Sequence, residues 1–167
     1  SDIYGLLYDR DGSLLICDTG NDMIFRLRGG NLIPVAGSGN RAFAGDGGPA
    51  TQASLYAPYD IDVDSAGNLY IADIGSGVRK VAPNGIITRL AAGNSPRGIG
   101  ADSMGNVYFV SGSGSRVFRV AADGGQTLIS GTGDNREAGD GGPAVQASLL
   151  DPTDVAVDET GAVFILG

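Results

Sequence analysis

Short runs in which apolar and polar residues alternate recur along the chain, and each ends at a glycine-bearing turn. In "YDIDVD", residues 59–64, Ile61 and Val63 alternate with Asp60, Asp62 and Asp64. A period of two is that of a half-buried β-strand. "SAGN" follows, where Gly67 can take a positive φ without steric penalty. "NLYIAD" then predicts a second strand, rich in residues that suit a pleated surface. "VRKVAP" predicts a third strand and, after the hairpin signal Asn84-Gly85, "IITRLAA" predicts a fourth. The same series returns as "GIGAD", "NVYFV", "RVFRVA" and "QTLIS".

The alternation is itself repeated at a longer period. "YDRDGSLLICD", "VDSAGNLYIAD", "ADSMGNVYFVS" and "VDETGAVFILG" place a glycine three residues after Asp9, Asp64, Asp102 and Asp158. The intervals between these aspartates are 55, 38 and 56 residues (64 − 9, 102 − 64, 158 − 102). "AGDGGPATQASL" at 44–55 and "AGDGGPAVQASL" at 138–149 account for the two long intervals. The unit is therefore about 40 residues, with an insertion in alternate units, a period of propellers and solenoids. Four short antiparallel strands per unit with almost no helix predict an all-β fold, a β-propeller of four-stranded blades; a solenoid would show one strand or a helix pair per repeat. The expected blades are 3–44, 59–92 and 97–131, with half of a fourth at 153–167, and the insertions span 41–58 and 134–152.

"SPRGIGADSMGNVYFV", "AGDGGPATQASLYAPYDIDVDSAGNLYIAD" and "GVRKVAPNG" resemble the NHL-repeat β-propeller proteins of bacteria, and the resemblance runs from Ile3 to Gly167. The third-strand phrases depart from the family's usual one. The first keeps Thr19, Gly20 and Asn21 but has Met23 where arginine is common, the second is one residue short and keeps Arg79, Lys80 and Val81, and the third keeps Arg116. This argues against one ligand motif shared by every blade. The resemblance implies a ring of six blades that serves as a binding scaffold, a sensor domain or, less often, an enzyme. Three and a half blades do not close a ring, and an open end exposes an apolar face and unpaired strand edges. Either the remaining blades belong to a longer chain of which this is a fragment, or copies self-associate. The fragment is the favoured expectation, because two copies would both offer the same first-and-second-strand half.

Composition narrows the chemistry. The 167 residues include 29 glycines, one cysteine, no histidine and no tryptophan, with a net charge of 11 − 19 = −8. That acidity disfavours nucleic acid, whose binding draws on Lys and Arg. No run approaches the roughly 20 apolar residues of a membrane-spanning helix. Lack of histidine removes Ser–His triads and His-ligated zinc. Cys17, beside Leu14, Leu15 and Ile16, is expected to be a buried thiol. "GDGGPA" lacks the GK[ST] of a nucleotide loop, and Asp46 would repel phosphate. "DRDGS" at 9–13 lacks the spacing and closing bidentate Glu of a calcium loop. No cofactor and no metal are expected.

Four positions before the repeat aspartates stand Gly5, Asp60, Gly98 and Asp154, so carboxylates occur only after an insertion. This predicts that Asp60 and Asp154 accept N–H bonds from the insertion folded over them; the competing reading points them into the channel mouth as a site for a cation or an amine. Asp62, matched by Leu7, Gly100 and Ala156, is expected either to face the channel or to pair with an arginine. Arg41, Phe43 and Arg136 lie in the insertions, and Tyr59, Arg97 and Thr153 each follow a proline at the start of an inner strand. With Asp60 and Asp154 they are the candidate partner-binding residues, against an ordinary solvated or strand-pairing role for Arg41 and Arg97. The function expected is a non-catalytic propeller scaffold that binds a protein, peptide or glycan through loops on one face, in an extracytoplasmic or cell-surface bacterial protein. The alternative is part of a propeller enzyme, a metal-dependent hydrolase or lyase, whose catalytic blades lie outside this chain; a third reading is a purely architectural spacer.

Overall fold

Each predicted alternation forms a strand, and four consecutive strands form one sheet. The computed structural model describes residues 2–112, 114–158 and 160–167. The first sheet is β1 (Ile3–Tyr8), β2 (Leu14–Asp18), β3 (Met23–Arg28) and β4 (Asn31–Ala36), in that order and antiparallel. The second is β5 (Pro58–Val63), β6 (Leu69–Asp73), β7 (Gly77–Val81) and β8 (Ile87–Ala91). The third is β9 (Pro96–Ala101), β10 (Val107–Ser111), β11 (Val117–Val120) and β12 (Gln126–Ser130). β13 (Asp154–Val157) and β14 (Val163–Leu166) make a two-stranded fourth sheet. The first strands β1, β5, β9 and β13 neighbour one another in sequence order. The sheets therefore fan out from a shared inner edge as propeller blades, three of four strands and one of two.

The repeated Asp-x-x-Gly closes the hairpin from first to second strand. Asp64 Oδ1 accepts the Ala66 and Asn68 N–H groups at 2.9 Å, and Oδ2 accepts the Asn68 amide and the Tyr70 hydroxyl at 2.7 and 2.9 Å. Gly67 sits at φ 82°. Asp102 repeats the arrangement with Met104, Asn106 and Tyr108. One carboxylate thus satisfies turn donors that would otherwise face solvent or apolar neighbours unpaired.

Packing between blades explains the run of apolar residues on second strands. On β6, Leu69 and Ile71 pack towards blade 1 with Leu15, Cys17 and Ile24, while Tyr70 and Ala72 pack towards blade 3 with Val107 and Phe109. On β10 the other face carries Tyr108 and Val110 against Val155, Val163 and Ile165. Every residue of β6 and β10 is buried, whereas β2 buries alternate residues and β14 half-buries them. The inner strands pack closer still, through an alternation of glycine and aspartate. A Cβ on Gly98 would lie 2.4 Å from Asp154 Cα and 2.5 Å from its Oδ1, and one on Gly5 would lie 2.9 Å from Asp60 Oδ1. Gly98→Ala is therefore expected to destabilise by about 1–3 kcal/mol through overpacking, read as a lower urea midpoint; an unchanged midpoint would contradict the close approach of β9 and β13.

Candidate functional site

The first insertion is folded back on blades 1 and 2 by charged and backbone contacts. Pro49 stands one residue ahead of a short 3-10 turn, Ala50–Gln52, and Ala50, Ala53 and Leu55 enter the core between the blades. Asp22, left-handed at φ 55°, accepts the Ala57 N–H at 2.8 Å and the Arg41 Nε at 3.0 Å. Asp73, fully buried, accepts the Tyr56 N–H at 2.8 Å. Arg79, also fully buried, reaches Asp46 at 2.7 Å, the Ser54 carbonyl at 3.3 Å and Asp73 at 3.7 Å. Phe43 lies over the Arg79 and Arg89 guanidiniums, 4.9 and 4.5 Å from its ring centre. The insertion is thus held by Asp22, Asp73 and the Arg79–Asp46 pair.

Among the described residues Asp60 and Asp154 bond strand amides and not the insertions, contrary to the tie expected from their spacing. Asp60 Oδ2 accepts the Ile99 N–H of β9 at 2.9 Å, and the Ile61 N–H of its own strand also binds the carboxylate. Asp62 accepts the Ala101 N–H at 2.7 Å and the Val63 N–H at 2.8 Å, so its partners are backbone amides and not an arginine. Asp154 accepts the Val155 N–H at 2.7 Å. The reason is geometric. A first strand pairs on one side only, so alternate N–H groups on its inner edge need acceptors. A carboxylate on the edge spans its own strand and the next, stapling β5 to β9. Burial pushes the Asp60 carboxyl up to about 6, against its two N–H bonds, with Asp154 and Asp62 adding repulsion. Burial likewise raises Asp62.

Beside these staples the mouth of the arc is amphipathic. Tyr4 and Tyr59 stack with ring centres 4.5 Å apart, and the Arg97 guanidinium lies 5.9 Å from the Tyr59 ring centre. Tyr4, Tyr59, Asp60, Gly98, Thr153 and Asp154 line a cleft of about 140 Å³. The structure therefore gathers Tyr59, Asp60, Thr153 and Asp154, with Arg97 at the rim. Arg41 stands over Tyr56 at 5.8 Å, paired to Asp22 but half exposed. Phe43 is engaged by blade 2 and Arg136 makes an exposed pair with Asp134; neither lines the cleft. Tyr4 was not among the sequence candidates, because it follows Ile3 and not a proline; its place opposite Tyr59 in the repeat is the signal that would have found it. Among the described residues no cluster of three or more Cys, Asp or Glu could hold a metal ion. Cys17 is buried, as expected, and burial pushes its thiol up to about 12, which disfavours the thiolate.

The profile of the teneurin NHL domain matches residues 9–95, just over half of the chain. No curated protein matches the chain in sequence. Among solved structures, the chain is similar to a protein of unknown function from Bacteroides thetaiotaomicron (TM-score 0.70, 19% identity, 98% of this chain and 44% of that one). It is also similar to a gluconolactonase from Xanthomonas campestris (0.69, 18%, 98% and 55%) and to virginiamycin B lyase from Staphylococcus aureus (0.63, 15%, 98% and 48%). The chain spans about half the length of these structures, and at such identities the likeness is one of fold.

Two outcomes follow from the staples and the insertion lock. Arg79→Met leaves the buried Asp73 without its cation, a loss of about 3–5 kcal/mol, and should open residues 41–55 to protease, while Asp60→Asn should leave that segment resistant; the reverse would contradict the assignment. Asp60 and Asp73 both titrate near 6, each raised first by burial from 3.8. A folded-state value above the unfolded one means the folded protein holds more protons between them, so stability falls as pH rises from about 4 to about 6 and then levels. Asp60→Asn should flatten that slope in a pH series of thermal midpoints; an unchanged slope would contradict a buried Asp60 carboxylate.

Proposed function

The chain belongs to the teneurin NHL domain family, and from that premise we propose that it is a non-catalytic propeller scaffold that binds a protein, peptide or glycan at the mouth of its inner edge. The observation that carries this reading is the Tyr4–Tyr59 stack beside Asp60 and Asp154, rimmed by Arg97. Stacked tyrosines offer a flat apolar face at low entropic cost, and arginine and tyrosine are the side chains on which interface energy concentrates. The two carboxylates beside them suit a ligand that joins a flat apolar surface to hydrogen-bond donors, such as a sugar ring or a basic peptide side chain. The supporting strands are fixed by the staples, so the site is preorganised, which lowers the cost of binding. The acidic, cysteine-poor composition and the bacterial look of the "GDGGPA" repeats support an extracytoplasmic place in a bacterial protein.

The test is a glycan and peptide array probed with the chain, followed by titration of the best ligand against Tyr59→Ala and Arg97→Ala. Each substitution should weaken binding by about tenfold or more without lowering the thermal midpoint. Equal affinity of the variants would overturn the assignment of the site, and metal-dependent hydrolysis of lactones or esters by the chain would overturn the reading in favour of an enzyme.

A further inference from the structure

One second-strand position differs between blades. Tyr70 stands opposite Lys80 in blade 2 and Tyr108 opposite Arg119 in blade 3, whereas Leu15 stands opposite Arg26 in blade 1. Tyr70 is fully buried between blades 2 and 3, and its hydroxyl donates to Asp64 Oδ2 at 2.9 Å. Tyr108 donates to Asp102 Oδ2 at 3.3 Å. Leu15, buried between blades 1 and 2, has no hydroxyl to give Asp9. Asp64 Oδ2 also accepts the Asn68 amide at 2.7 Å. In blade 1 Ser13 stands where that asparagine would be, and Arg26 reaches Asp9 Oδ2 at 3.0 Å instead. The arginine thus replaces the asparagine's bond, and among the described residues no hydroxyl replaces the tyrosine's.

The space a tyrosine would fill is open. A Cβ on Gly105 of blade 3 would lie 3.5 Å from Tyr70 Oη and 3.8 Å from Asp64 Oδ2 of blade 2. On the equivalent Gly67 of blade 2 it would meet only Pro83 of its own blade, at 3.7 Å. On Gly124 it would lie 2.9 Å from the Leu90 carbonyl, yet on the equivalent Gly85 it would meet nothing within 4 Å. A cleft of about 370 Å³ separates blades 1 and 2 here, with Val35, Val63 and Leu69 as apolar walls and Asp9, Asp11 and Arg26 as charged lining. The first insertion holds it open. The Ala50 carbonyl accepts the Gly37 N–H of blade 1 at 3.0 Å, and the Ala50 N–H donates to the Gly85 carbonyl of blade 2 at 2.8 Å. Blades 2 and 3, joined only by residues 92–95, have no such spacer.

We propose that the cleft between blades 1 and 2 binds a small neutral phenol in the place that a tyrosine side chain fills between blades 2 and 3. The ring packs on Val35, Val63 and Leu69, and its hydroxyl donates to Asp9 Oδ2. Arg26 stands by the ring as Lys80 stands 5.6 Å from the Tyr70 ring centre. Asp9 and Asp11 are matched by Arg26 and Arg28, so the lining favours a neutral hydrogen-bond donor over an anion or an amine. A cavity left by a smaller side chain takes up an aromatic molecule of fitting shape, and the volume falls in the range of ordinary ligand sites. The cleft lies at the other end of the first strands from Tyr59 and Asp60 and does not depend on the binding proposed there.

The probes are para-cresol, the tyrosine side chain as a free molecule, and toluene, which lacks only the hydroxyl. Each is titrated against the full chain while the Gly67 and Gly85 amide signals are followed by NMR. Saturable shifts at both glycines are expected with para-cresol, and toluene should bind about tenfold more weakly or worse. Asp9→Ala should bring the two affinities together, because only the phenol uses that carboxylate. Leu15→Tyr should abolish para-cresol binding and raise the thermal midpoint by supplying the ring from within. Where Leu15→Tyr does not fold, the ratio of affinities in Asp9→Ala decides. No saturable binding of para-cresol, equal affinity for toluene, a ratio unchanged by Asp9→Ala, undiminished binding by a folded Leu15→Tyr, or shifts confined to the Tyr4–Tyr59 cleft would overturn the proposal.

Discussion

A four-stranded sheet with apolar side chains on both faces has nowhere to put them except against another such sheet. This constraint organises the molecule. Blades 2 and 3 are covered on both sides, and their second strands are buried at every residue. Blades 1 and 4 present one uncovered face each, where Ile3, Leu6, Phe164 and Leu166 are exposed. Burial is worth roughly 25 cal/mol per Å² of apolar surface, so within residues 2–167 the middle blades hold the largest share of the apolar core.

Radial stacking brings the first strands together edge to edge, which creates the polar problem that the aspartates solve. Inner-edge N–H groups of β9 need acceptors, and the side chains of Asp60 and Asp62 supply them across the blade boundary, while Asp62 also takes the Val63 N–H of its own strand. Glycine at positions 5 and 98 leaves room for the neighbouring aspartate. The carboxylates are therefore structural first, yet their position beside the tyrosine stack makes them part of the surface a ligand meets. Scaffold and candidate site are built from one set of residues.

The architecture was legible because it rests on periodicity: the period of two along strands, and the recurring Asp-x-x-Gly turn, appear in the structure as strand, turn and blade. The Gly5, Asp60, Gly98, Asp154 series was legible too, but its meaning was not. Its coincidence with the insertions suggested a contact with them, whereas the partner is the next inner strand, 39 residues along in Ile99. Spacing along one chain reports register and cannot say which of two adjacent elements lies closer. The same limit hid Tyr4, whose pairing with Tyr59 depends on the approach of β1 to β5. The lock on the first insertion was missed because Asp22 lies in the turn before β3, Asp73 on β6 and Arg79 on β7, and the three share no motif.

Amide hydrogen exchange on the folded chain tests the stacking of blades most directly, since protection follows local opening free energy. The amides of Leu69–Asp73 and Val107–Ser111 should be the slowest, and those of Ile3–Tyr8 and Val163–Leu166 should exchange orders of magnitude faster. Equal protection in the end strands and in β6 and β10 would contradict the dependence of each blade on its neighbours.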